Sequence, residues 1–274
     1  MIKIILFLII LYYTSYVLFF FLYNTRPKSK KVSNTNIVNI EGISYEIRNK
    51  NDVIQKTLLN RKQWSPKILK LLKSRMKQKG HFVNVGAHIG TITLPMSKIA
   101  SHVTAFEPFP KTFDHLKKNV ELNKLSNVDI YNVALGDKHE SVFFMDDDND
   151  RLKNNNGGMH VFTNNDLITG ERSASIAKLE NLGIVSVPLD NMNLNKIDLM
   201  LVDIEGMEDK FLIGAKETLK KDLPDLVIEI WNNDKRKEEN IIITRQQIID
   251  NIMSLGYNKV EKIDDEDFLF THSI

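Results

Sequence analysis

The chain has 274 residues, 42% of them apolar and 26% charged, which suffices for one large α/β domain or two small ones. Lys and Arg number 37 against 35 for Asp and Glu, so there is neither the basic surplus of a nucleic-acid binder nor the acidic surplus of a solvating, disordered chain. The absence of cysteine excludes a disulfide framework, a thiolate metal site and a cysteine nucleophile.

From Ile4 to Leu22 the run "IILFLIILYYTSYVLFFFL" carries no charge, Pro or Gly. It matches the roughly 20 apolar residues needed to span a bilayer. It is longer and more aromatic than a signal-peptide core and closes on "YNTRPKSKK" with no small-residue cleavage site. Residues 1–23 therefore read as a single-pass transmembrane anchor, with Tyr23 at the interface. Only Lys3 precedes the span, whereas Arg26, Lys28, Lys30 and Lys31 follow it, which places the rest of the chain in the cytoplasm. The lack of cysteine and of any N-x-[ST] sequon agrees with that side. Residues 24–36 read as a basic linker, and residues 37–274 as one globular domain.

"NIEGISYEI" alternates around a glycine like a short hairpin, and "SPKILKLLKSRMKQKG" reads as a helix capped by Ser65, entered through Pro66 and stopped by Gly80. Strands and helices then alternate. "HFVNV" is a strand, "TITLPMSKIAS" a helix, "VTAF" a strand, "KTFDHLKKNVELNKL" a helix and "NVDIYNVAL" a strand. Residues 146–172, an insertion that is polar and rich in Asn and Gly, read as either a functional loop or disorder. The spacing of Asp146, Asp148 and Asp150 invites a Ca²⁺ site, but Arg151 and Gly157 stand where an EF-hand needs Gly and Glu, so no metal is expected. Beyond the insertion come the strands "IVSVPL" and "DLMLVDI", the helix "EDKFLIGAKETLKK", the strand "DLVIEIW", the helix "TRQQIIDNIMSLGY" and two closing strands, "KVEKI" and "DFLFTHS". Nearly continuous apolar strands separated by helices predict a doubly wound α/β sheet covered on both faces.

In such sheets ligands bind beyond the carboxyl ends of the strands. "FVNVGAHIG" is such an end: Gly86 allows the turn, Gly90 allows the next helix to approach, and the amides at the helix start suit a carboxylate or phosphate. About twenty residues on, Glu107 closes "VTAFE", where a carboxylate can take both ribose hydroxyls. That acid serves nicotinamide dinucleotides and S-adenosylmethionine alike. The turn separates them, because a dinucleotide asks for G-x-G-x-x-G and Asn84 occupies the first glycine's place. A polar side chain there suits the ammonium of a methionine tail, so the inferred cofactor is S-adenosylmethionine.

"FVNVGAHIG", "FEPFP", "NVALGD", "IDLMLVDIEGMEDKFLIGA" and "LVIEIW" resemble, in order and spacing, the FkbM-type methyltransferases over roughly residues 40–272. The resemblance implies a Rossmann-like seven-stranded methyltransferase fold, S-adenosylmethionine as donor, and methylation of a hydroxyl on a sugar, glycan or glycolipid. It places Asn84, Gly86, Ala87 and Gly90 at the methionine end, Glu107 on the ribose and Ala134 near the adenine. Asp203 and Glu205 fall beside the transferable methyl. Two positions depart from the family pattern: Asn84 replaces an Asp, and Leu201 stands where the family carries a Lys.

A hydroxyl is a poor nucleophile, so a base within hydrogen-bond reach helps its methylation. Glu205 is the first candidate to position or deprotonate the acceptor, with Asp203 orienting the donor or the turn. His160, in the insertion, is a second candidate base. Glu229 ends the fifth strand where it could meet the acceptor, His88 shapes the turn, and Trp231 could stack on a sugar ring. The competing readings are a non-catalytic membrane-tethered adaptor with this fold and, from a different class, an NAD-dependent oxidoreductase. The expected partners are a hydroxyl-bearing acceptor and a membrane, with no nucleic acid.

Overall fold

Alternating residues on the central strands are apolar on both faces, so each strand needs cover above and below. In a computed structural model, which describes residues 36–145, 161–163 and 179–272, that cover is provided by helices. Leu199 and Leu201 of strand β10 pack into one core cluster with Ile68, Leu69 and Leu72, while Met200 and Val202 join Phe211, Leu212 and Ile248 in another. The expected membrane span and His160 lie outside the described residues. Among the described residues no helix is long and apolar enough to cross a membrane.

A hairpin comes first: β1 (Asn36–Ile40) and β2 (Ile43–Ile47) pair antiparallel, and both turn residues, Glu41 and Gly42, have positive φ. Helix α1 (Val53–Leu59), not anticipated from the sequence, starts at Asp52, whose carboxylate accepts the Gln55 amide at 2.8 Å. Helix α2 (Pro66–Arg75) is entered through Pro66 as expected. Ser65, however, sits in a left-handed conformation and makes no side-chain cap, and the helix ends before Gly80.

The main sheet has seven strands in the order β12-β13-β11-β10-β3-β4-β5. Its members are β3 (His81–Val85), β4 (His102–Phe106), β5 (Val128–Tyr131), β10 (Leu199–Val202), β11 (Asp225–Glu229), β12 (Lys259–Lys262) and β13 (Asp267–Thr271). All neighbours are parallel except β13, which is antiparallel to both β11 and β12. This is the Rossmann-like, mainly parallel seven-stranded sheet that the sequence leads us to expect. Helix α3 (Thr93–Met96) is much shorter than expected, and α4 (Pro110–Leu122) spans most of its predicted length.

Two single expectations divide. "NVDIYNVAL" splits into β5 and β6 (Ala134–Leu135), which belong to different sheets, because β6 pairs with β9 (Leu179–Val187). β9 also pairs with β7 (Glu140–Met145), and β7 with β8 (Val161–Thr163), forming a four-stranded sheet that the polar insertion concealed. "EDKFLIGAKETLKK" breaks at Ala215 into α5 (Glu208–Gly214) and α6 (Lys216–Asp222). The short α7 (Asn233–Glu238) was also missed, whereas α8 (Arg245–Ser254) begins with a complete capping box between Thr244 and Gln247.

Candidate functional site

From β3 the chain winds outward through β4 to β5, then returns to the other side of β3 with β10 and β11. The carboxyl ends of β3 and β10 therefore flank a topological switch point, where open α/β sheets leave a crevice. A cavity of about 300 Å³ lies there, lined by residues from the tips of β3, β4, β10 and β11 and by the start of β13. Asn84, Gly86, Ala87, Glu107, Ala134, Asp203 and Glu205 all line it, together with His88 and Glu229.

The turn after β3 is held tightly. A Cβ on Gly86 would lie 1.8 Å from the Asp203 carbonyl oxygen, and its φ is +87°. No side chain fits where the tips of β3 and β10 meet. The Gly86 and Ala87 amides both donate to the Phe106 carbonyl, at 3.0 and 2.9 Å, and the His88 amide donates to Glu107 at 2.8 Å. These three amides are engaged within the protein. Gly90 lets the neighbouring helices approach closely, as its spacing leads one to expect. It is absent from the cavity wall, and a Cβ there would strike Leu94 and Leu116, so it serves the packing of α3 and α4.

Side chains present the polar atoms instead. Asn84 is buried and its Nδ2 donates to Thr93 Oγ1 at 2.9 Å, leaving Oδ1 as a buried acceptor without a partner. Register places Leu201 beside it, an apolar neighbour where the family pattern has a cation. Glu107 is buried at the tip of β4, and its two carboxylate oxygens accept the amides of His88 and Phe109, at 2.8 and 2.9 Å. Burial lifts its pKa to about 7 against those two stabilising bonds. Each oxygen keeps a second lone-pair direction for a ligand. Val133, Ala134 and Leu135 supply apolar wall.

The opposite end is acidic. Asp203 follows β10, Glu205 lies in the next turn, Glu229 ends β11, and Asp267 pairs directly with Glu229 across the β11–β13 ladder. Carboxylate oxygens of Asp203, Glu205 and Glu229 lie within 4.8 Å of one another, close enough to share a proton or a cation. Asp203 opens onto the cavity, where water reaches it, although protein surrounds it otherwise. Burial and then mutual repulsion push Asp203 up to about 7, Glu205 to about 8 and Glu229 to about 9. Asp267 rises to about 7, from burial first and then its neighbour Asp264. Glu205 holds its place with a φ of +52°, a conformation that non-glycine residues adopt at a cost.

Trp231 does not reach the cavity. Its side chain is fully buried and its Nε1 donates to Glu229 Oε2 at 3.2 Å, so it orients a carboxylate rather than stacking on a sugar. The aromatics that do line the cavity are Trp64, Phe106 and Phe109. His88 lines the wall with a φ of +49° and two buried ring nitrogens lacking hydrogen-bond partners, and burial lowers its pKa to about 4. Sequence reasoning missed the wall formed by Val53, Ile54, Trp64 and Ile68, which precedes every glycine signal, and Asp267, which opens a strand near the sheet edge.

The family model for the methyltransferase FkbM domain matches residues 84–259, more than half of the chain. The chain belongs to the FkbM methyltransferase family. The matched segment begins at Asn84 and carries Glu107, Asp203, Glu205 and Glu229, while the α1–α2 wall lies before it and Asp267 after it. Methyltransferase 1 of Beauveria bassiana is 26% identical over 166 residues, covering 55% of this chain and 64% of its own length. A probable ribosomal RNA small subunit methyltransferase A of Methanosphaera stadtmanae is 46% identical over 48 residues, 18% of each chain. This FkbM chain thus spans less than two thirds of the curated relatives it matches. Among solved structures, methyltransferase FkbM from Methylobacillus flagellatus superposes with a TM-score of 0.47 at 14% identity, covering 79% of this chain and 52% of that one. TYW2 of M. jannaschii in complex with AdoMet gives a TM-score of 0.43 at 16% identity, covering 89% and 90%.

Proposed function

We propose that this FkbM protein transfers the methyl group of S-adenosylmethionine to a hydroxyl of a sugar or glycan-type acceptor. The observation that carries this reading is the polarity of the cavity at the strand tips. A buried Glu107, fixed by two amides, and the unpartnered Asn84 Oδ1 stand toward one end, and four proton-rich carboxyls stand at the other.

The residues present fit the donor. Asn84 Oδ1 accepts from its ammonium, Glu107 accepts from its ribose hydroxyls, and Ala134 with its neighbours packs against the adenine. Bound there, the donor supplies a methyl group made electrophilic by the adjoining sulfonium. The chain's own contribution is alignment, exclusion of water and removal of a proton. An unperturbed Glu is a weak base for an alcohol. Glu205, raised to about 8 by burial and by Glu229, is a stronger one and stands within reach of partners that can spread the proton it takes. Asp203 and Glu229 are the sharing partners. The apolar stretch at residues 4–22 tethers this activity to a membrane, where glycan and glycolipid acceptors are at hand.

The test is transfer of labelled methyl from S-adenosylmethionine into membrane and glycan fractions by the full chain. Incorporation that is abolished in Glu205→Gln supports the reading. Melting with S-adenosylhomocysteine and with NADH in parallel addresses the oxidoreductase alternative, since only the former should stabilise the fold. Dialysis against EDTA should leave transfer unchanged. Loss restored by Mg²⁺ would instead make the carboxyl cluster a cation site.

A further inference from the structure

The motif "DIEGME" contains a third acid, Glu208, to which the proposed chemistry gives no part. Its surroundings are unusual. Glu208 opens α5, is fully buried, and accepts the Gly206 amide on Oε1 at 2.7 Å. Its Oε2 accepts Arg236 Nη1 at 2.9 Å, and Arg236 is 1% exposed. Arg236 lies in α7, beyond the end of β11, where its Nε donates to the Ile243 carbonyl at 2.7 Å and its Nη2 has no partner.

Stability alone is a poor reason for this arrangement. Removing two charges from water costs more than their attraction commonly returns, and an apolar pair of similar volume would often hold the fold as well. The unsatisfied Nη2 adds to that cost. What the pair does accomplish is geometric. It ties the turn after β10, which carries Glu205, to the segment after β11, which carries Glu229. Glu205 and Gly206 are consecutive residues at positive φ, +52° and +91°, and Glu208 holds the second of them by its amide. Gly206 in turn packs against Trp231, whose indole nitrogen donates to Glu229.

We propose that Glu208 and Arg236 are positioning residues for methyl transfer: their buried ion pair clamps the turn of Glu205 in its left-handed conformation and thereby sets its carboxyl against those of Asp203 and Glu229. This rests on the methyltransferase reading above, but its test does not fall with that reading.

Three proteins are compared as full chains: wild type, Glu208→Gln, and the double variant Glu208→Met with Arg236→Met, which removes both charges together and so avoids leaving one stranded. Misplacement by an ångström lowers turnover by about 10²-fold, and a loss of that order is expected in both variants, with the KM for donor little changed. Calorimetric affinity for S-adenosylhomocysteine should stay within about threefold of wild type, since that ligand is held by Asn84 and Glu107 on other strands. Turnover retained in either folded variant overturns the proposal, and so does failure of both to fold, which would make the pair a core element only. If the wild type transfers no methyl, the functional reading has failed and the clamp is judged by a crystal structure of the double variant. Glu205 leaving its positive φ supports it, and Glu205 unchanged overturns it.

Discussion

Glu107 is the residue whose geometry leaves least freedom. Two backbone amides hold its carboxylate, so Glu107→Gln keeps the shape but gives an amide nitrogen where an acceptor is required. Hydrogen bonds to a charged group contribute about 1.5–3 kcal/mol, so affinity for S-adenosylhomocysteine should fall about 10- to 100-fold by calorimetry. In the proposed reaction Glu205 acts on rate rather than affinity. With its pKa near 8, the ionised form needed to accept a proton accumulates only as pH rises, so turnover should climb from pH 6 and level off above about pH 8. Glu205→Gln should leave a low and flat profile. Trp231 illustrates how a residue's type misleads without its surroundings. An indole two positions after Glu229 is suited to stack on a ligand, yet here it is enclosed and spends its one donor on the carboxylate.

At the level of elements, the strands of the main sheet were readable because each is a short apolar run bounded by turn residues, and burial on both faces demands that composition. The order of strands around β3 is not contained in that alternation and comes from the structure. What sequence could not show was pairing across long separations. β6 continues the apolar run of β5 but leaves the sheet, since its partner β9 lies beyond the insertion. Helix α1 was hidden because seven residues carry too little periodicity, although Asp52 marks its start. On the site, glycine spacing and strand-end acids located Asn84, Gly86, Glu107, Asp203 and Glu205 on the chain. The division of labour between Gly86, at the turn, and Gly90, under the next helices, was legible as well, whereas the atoms each one meets needed coordinates. A prediction belongs to this scale: Gly86→Ala should prevent stable folding or lower the melting temperature by many degrees, because the new methyl would occupy the Asp203 carbonyl and the strand tips must part. Gly90→Ala meets flexible leucine tips as well as an adverse φ, and should be milder by thermal melting.

For the molecule as a whole, the acidic end of the cavity makes stability depend on pH in a definite sense. Asp203 and Asp267 are raised to about 7, Glu205 to about 8 and Glu229 to about 9, whereas unfolded carboxyls titrate near about 4. Between these limits the folded chain binds more protons than the unfolded one, so stability is greatest below the unfolded value and declines as pH rises through 7 to 9. Ligand-free protein should melt at a lower temperature at pH 9 than at pH 6, and Glu229→Gln should remove part of that fall. The opposite slope would show that the carboxyls are already compensated by a cation. The strand that brings Asp267 to Glu229 has a consequence of another kind. Among the described residues β13 is the last strand reached along the chain, yet it is inserted between β11 and β12 and does not lie at the edge of the sheet. The side of the sheet built from β3, β4 and β5 is complete in the chain well before it. Asp267 therefore meets Glu229 only once this late strand has slotted between two others, and the acidic wall cannot close until that insertion is made.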